Sequence, residues 1–117
     1  MEMLLLDVYP KGKYQVVNIR QDIRHDTDIS DLNSVIRWLL EKHSRFIAVR
    51  FTPESFLYTH AVSRFIDCLQ MITGEGGKLA VINPNNYIRN FITAIDFENK
   101  ITVFSDEDEL TIEPAVV

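Results

Sequence analysis

Cysteine is nearly missing from this chain: Cys68 is the only one in 117 residues. A lone thiol excludes an internal disulfide and a cysteine-rich metal cluster. Basic charge is also scarce. Twelve Lys and Arg stand against seventeen Asp and Glu, for a net charge of −5. The deficit is local, because residues 105–117, SDEDELTIEPAVV, hold five acids and no Lys or Arg, and residues 1–104 balance. Binding to a nucleic-acid backbone needs a basic surface, so nucleic acid is not the expected partner. Long apolar runs are absent too. MEMLLLDVYPKGK is apolar for only four residues after Glu2 and has no basic region before them. It is too short for a signal peptide or a membrane span, so the expectation is a cytoplasmic protein without a membrane partner. No internal repeat or low-complexity linker breaks the chain, and its length fits a single domain over 1–117.

What is present is a core. Apolar residues make up 46% of the chain and charged residues 25%, the balance of a folded globule. MLLLDVY and YQVVNIR are short β-prone runs around PKGK, which reads as a hairpin turn. DLNSVIRWLLEKH places Leu32, Val35, Ile36, Leu39 and Leu40 on one helical face, with Ser30 or Asp28 as cap. FIAVRF over 46–51 is a buried-strand candidate. Val62, Phe65, Ile66, Leu69 and Ile72 then recur at helical spacing, and GEGG closes that helix. KLAVIN reads as a strand. Asn83 is the expected cap of a helix beginning at Pro84, with Ile88, Phe91, Ile92 and Ile95 inward. KITVF is the last strand, and Ser105 with Asp108 resembles a capping box for a short acidic helix. Strands alternating with amphipathic helices predict an α/β fold: a mixed four- to five-stranded sheet with helices packed mainly on one face. Residues 14–110 form its core, 1–13 an extra edge strand and turn, and 111–117 a tail.

SFLYTHAVSR, residues 55–64, puts hydroxyls and a histidine where a strand-like run gives way to a helix. A serine-hydrolase elbow needs flanking glycines that are absent here, and adjacent Thr59 and His60 project in different directions from a helix start. His25 and His43 are the other histidines, and none joins a His-Glu-x-x-His motif. No catalytic residue, metal or cofactor is therefore expected. Ser55 reads as a turn residue and Ser63 as helix surface. Thr59 has two readings, since its hydroxyl at the helix start serves either as a cap or as a phosphate acceptor. Cys68 falls on the apolar side of its helix as a buried thiol. GEGGK lacks the order of a phosphate-binding loop. Arg89 is a ligand candidate within a helix start, and Trp38 lies beside the Leu39–Leu40 face.

In order, FIAVRFTPESFLYTHAV, GGKLAVINPNNYIRNFITAIDF and KITVFSDEDEL resemble a STAS domain, the fold of bacterial anti-sigma factor antagonists. The likeness covers Tyr14 to Leu110. The family's switch reads Asp-Ser-Ser-Gly, with phosphorylation on the second serine. Here the four positions are Tyr58, Thr59, His60 and Ala61. The acceptor slot holds His60, and Thr59 is the hydroxyl that remains. The resemblance implies a non-catalytic regulatory domain that docks through Tyr58, Thr59, His60 and Ala61 onto an anti-sigma factor or serine kinase-like ATPase. Its usual phosphoserine switch is absent or altered, and Thr59 is the candidate phosphorylation site. The alternative is a divergent structural or oligomeric component, such as a homodimer, that binds a small apolar ligand without switching.

Overall fold

The computed structural model describes residues 4–96 and 99–112. The elements run β1 (Leu6–Lys11), β2 (Tyr14–Ile19), α1 (Ser30–Glu41), β3 (Phe46–Arg50), α2 (Thr59–Gly74), β4 (Lys78–Ile82), α3 (Asn86–Ile95), β5 (Ile101–Phe104) and α4 (Glu109–Ile112). The five strands form one sheet in the order β1-β2-β3-β4-β5. β1 pairs antiparallel with β2, and the remaining pairs are parallel. The fold is therefore α/β with a mixed five-stranded sheet.

The sequential strand order explains where the helices lie. Each strand–helix–strand unit steps the same way across the sheet, and such crossovers are right-handed, so successive helices cover the same face. Val17, Ile19, Ile47, Val49, Leu79 and Val81 point to that face and share one core with Leu32, Ile36 and Leu39 of α1, Phe65 and Ile72 of α2, and Ile88 and Ile92 of α3. Alternation along the strands sends Tyr14, Val16, Ala48, Ala80, Ile82 and Phe104 to the other face. Among the described residues only the short α4 covers that side, and Leu110 seals it. Strands buried on both faces are why FIAV and LAVI read as unbroken apolar runs. The small second core is organised by Tyr14, whose ring meets Phe46 at 5.6 Å and Phe104 at 5.9 Å, edge to face.

Polar contacts fasten α4 to the sheet. Tyr9 donates its hydroxyl to Glu107 Oε1 at 2.7 Å, and Arg50 Nη1 meets Glu107 Oε2 at 3.2 Å. Burial, then the bond to Glu107, pushes the Tyr9 phenol up to about 12, so it stays a neutral donor. Gly12 makes close approach to α4 feasible. A Cβ there would lie 2.6 Å from the Leu110 carbonyl oxygen, and its φ of +61° suits the start of a two-residue hairpin turn.

Several local expectations change. The strands continue through Lys11 and Tyr14, so the turn over PKGK shrinks to Gly12–Lys13. Pro10 is tolerated because β1 is an edge strand. Asn83 does not cap α3: it sits in the left-handed region at φ +45°, and Asn85 is the cap, accepting from the Ile88 N–H at 2.9 Å. Pro84 thus precedes the helix rather than opening it. At α4, Glu109 reaches back to the Ser105 N–H, and Asp106 accepts from the Asp108 N–H, so Asp108 is not the box partner. The segment 111–117 begins inside α4, and 113–117 lie outside the described residues.

Candidate functional site

The parallel strands all end on one rim, and the loops that follow them are tied together there. Ser55 is buried at the centre of these ties. Its hydroxyl accepts from the Ile23 N–H at 2.9 Å and shares a 2.7 Å bond with the Thr52 hydroxyl. Thr52 Oγ1 lies 2.6 Å from Asp22 Oδ1. Across the rim, Asn85 Nδ2 donates to the carbonyls of Pro53 (2.9 Å) and Ser55 (2.7 Å). The β3–α2 loop is thus stitched to the β2–α1 loop on one side and to the start of α3 on the other. Ser55, expected as a turn residue, is the hub of the stitching.

This frame holds four rings in a row on the surface. Phe56 packs on Tyr58 at 4.4 Å and on Tyr87 at 4.4 Å, and His25 meets Tyr58 edge-on at 6.0 Å. Tyr58 is 44% exposed and Tyr87 66% exposed. Phe56, Tyr87 and His25 escaped the sequence reading because three separate segments supply them. The available signal was modest: two tyrosines and a phenylalanine near predicted helix starts.

The four predicted positions do not share one environment. Tyr58 is the N-cap residue of α2, extended at φ −84° and ψ 175°, and no side chain caps this helix. Thr59 is the first helical residue and is exposed. It therefore does not cap α2, because capping needs the side chain of the non-helical residue before it. His60 is exposed, and its Nε2 lies 2.9 Å from the Thr27 carbonyl oxygen, which makes that nitrogen a protonated donor. Ala61 is fully buried. It lies one turn before Phe65 on the inner face, so it cannot be a contact residue, and the interface is corrected to exclude it.

α1 starts differently. Ile29 is its N-cap residue, and neither Ser30 nor Asp28 caps it from that position. Asp28 Oδ1 nonetheless accepts from the Ser30 N–H at 2.9 Å and the Ser30 hydroxyl at 2.6 Å. These bonds hold the Asp28 carboxyl below its usual range.

Cys68 is fully buried, and desolvation pushes its thiol up to about 12. Arg89 is exposed on α3, and Trp38 is 51% exposed with Lys42 above its ring at 5.5 Å. Among the described residues, no three His, Cys, Asp or Glu side chains converge as a metal site. No helix among them is long and apolar enough to cross a membrane.

The chain is similar in structure to the protein TM1081, known from NMR, with a TM-score of 0.68 over 97% of this chain and 90% of that one. The two sequences are 12% identical, so the likeness is one of fold. No protein-family model matches the chain, and no curated protein does.

Proposed function

We propose that this chain is a non-catalytic regulatory domain of STAS type that acts in the cytoplasm by docking onto an anti-sigma factor or serine kinase-like ATPase. The observation that carries the reading is the exposed row of rings, His25, Tyr58, Phe56 and Tyr87, held at the start of α2. Tyrosine offers large contact area at small entropic cost and is enriched at the energetic centres of interfaces. Thr59 stands beside this row at an uncapped helix start, where a phosphate is electrostatically favoured. Its phosphorylation would put nearly two negative charges into the contact. His60, in the family's acceptor slot, is engaged with the Thr27 carbonyl, so binding is constitutive unless Thr59 takes over as the switch.

The test is calorimetry with the purified ATPase-like partner. Thr59→Glu is expected to weaken binding by about 1–3 kcal/mol by burying a charge in the contact. Tyr58→Ala is expected to weaken it by about 2 kcal/mol as an aromatic anchor is lost. Unchanged affinity in both variants would overturn the docking site. Phosphate on Thr59 in intact-mass spectra from cells, with the partner released, would make the binder a switch.

One observation favours the second reading, an oligomeric or structural component that binds a small apolar ligand. A groove of about 400 Å³ between α2 and α3 is walled by Ile66, Leu69, Ala94 and Ile95. Self-association without an ATPase partner, together with saturable uptake of an apolar dye, would select it.

A further inference from the structure

A second site lies on the sheet face opposite α1–α3. There α4 covers only part of the strands, and the remainder carries a polar strip. Asp7, Asn18 and Arg50 are register neighbours on β1, β2 and β3, so their side chains stand side by side. Arg20 follows Asn18 by two residues and shares its face. Asn18, Arg20, Arg50, Thr52 and Asn83 line a crevice of about 240 Å³ at the carboxyl ends of β2, β3 and β4.

We propose that this crevice binds a small oxyanion of the phosphate class. Its walls are rich in donors that the fold leaves uncommitted. Among the described residues, Arg20 uses only its Nε, on Asp7 at 2.9 Å, and Arg50 only one Nη, on Glu107 at 3.2 Å. Both pairs are partly solvated, so each can admit an incoming anion at little cost. Guanidinium groups present several N–H donors in a plane, the geometry that matches tetrahedral and planar oxyanions. The side-chain amides of Asn18 and Asn83 have no hydrogen-bond partner among the described residues. Asn83 holds a left-handed backbone at φ +45° at the crevice wall, a conformation that non-glycine residues adopt rarely. Asp7 and Glu107, paired with Arg20 and Arg50, set the selectivity. They balance the two arginines, so the site favours a compact anion that reaches both guanidiniums over a diffuse acidic surface. The site is separate from the aromatic row and does not depend on the docking proposal.

The test is two-dimensional NMR of the intact protein, titrated with inorganic phosphate against chloride at constant ionic strength. The expected result is saturable shifts at Asn18, Arg20, Arg50 and Asn83, with Tyr58 and Thr59 unmoved. A parallel titration with glycerol 3-phosphate separates the sources: tighter binding of the ester identifies an organic phosphate, and equal binding identifies a site for the free dianion. Arg20→Gln and Asn83→Gly should each weaken binding by about tenfold, the loss of one charge-assisted or amide contact. Asn83→Gly retains the left-handed backbone, and Arg20→Gln spares the Glu107 link that holds α4, so both variants fold. Shifts that fail to saturate, or saturable shifts that neither variant weakens, would overturn the site.

Discussion

Three helices begin on the same side of the sheet, and they begin in three different ways. α3 is closed by Asn85, which caps the Ile88 N–H and also ties down Pro53 and Ser55. α1 is held by a carboxylate, Asp28, through Ser30. α2 has no side-chain cap, and Tyr58 occupies the capping position. Forgoing the cap costs α2 about 1 kcal/mol relative to a serine or aspartate there. In exchange, a ring reaches solvent beside Phe56 and His25. The comparison separates a helix start that stabilises from one that presents a surface.

The largest expected effect comes from removing the well-made start. Asn85→Ala loses the cap and two bonds to carbonyls, and is expected to destabilise the fold by about 2–3 kcal/mol in urea titration. Because those bonds also fix the loop under Phe56, the same variant should increase hydrogen exchange at Phe56 and Tyr58. A loss no larger than that of a surface substitution would mean the rim is held mainly by Ser55.

Supplying α2 with the cap it lacks sharpens the contrast. Tyr58→Asp should be about 1 kcal/mol more stable than Tyr58→Ala, because both lose the ring and only aspartate can accept from the first-turn N–H groups. Both should lose partner affinity. Equal stability of the two would show that the first turn is already satisfied by solvent.

Removing the Asn85 amide cap changes stability at any pH, whereas the α1 start, held by a carboxylate, responds to acid. Asp28 has its carboxyl held below the usual range by the Ser30 bonds. Its stabilising contribution is therefore present above the ordinary carboxylate pKa and is lost as pH falls through the lowered value. Asp28→Asn keeps an acceptor for the Ser30 N–H at every pH. Urea titrations across the carboxylate range should then show a shallower decline on acidification than in the wild type. An identical decline would place the acid-sensitive bond elsewhere. This is the smallest of the three effects, since Asp28 is solvated.

The elements themselves were legible in the sequence because burial imposes periodicity. Phe65, Cys68 and Ile72 recur at helical spacing and all reach the core, and Ile47, Ala48 and Val49 form one unbroken run because both sheet faces are covered there. Helix starts were less legible. Asn83 and Asn85 are the same residue type two positions apart, and only the backbone decides which one caps. Asn83 turns left-handed while Asn85 stays extended with its amide oxygen facing Ile88. Thr59 and Ala61 show the same limit at the candidate site, where a shift of two residues along α2 separates a surface hydroxyl from a buried methyl.

By itself, then, the order of apolar periods determined an α/β chain with strands and helices in this succession, since a residue pattern that buries one face works in only one kind of backbone. Which side chains would meet was decided by the tertiary structure. His25 and Phe56 lie on two loops and Tyr87 in the first turn of α3, segments that become neighbours only when parallel strands bring their carboxyl ends to one rim. Asn18, Arg20 and Arg50 become one wall only through the register of β2 on β3. Contacts between distant segments depend on strand order and register, and no local pattern in the chain encodes either.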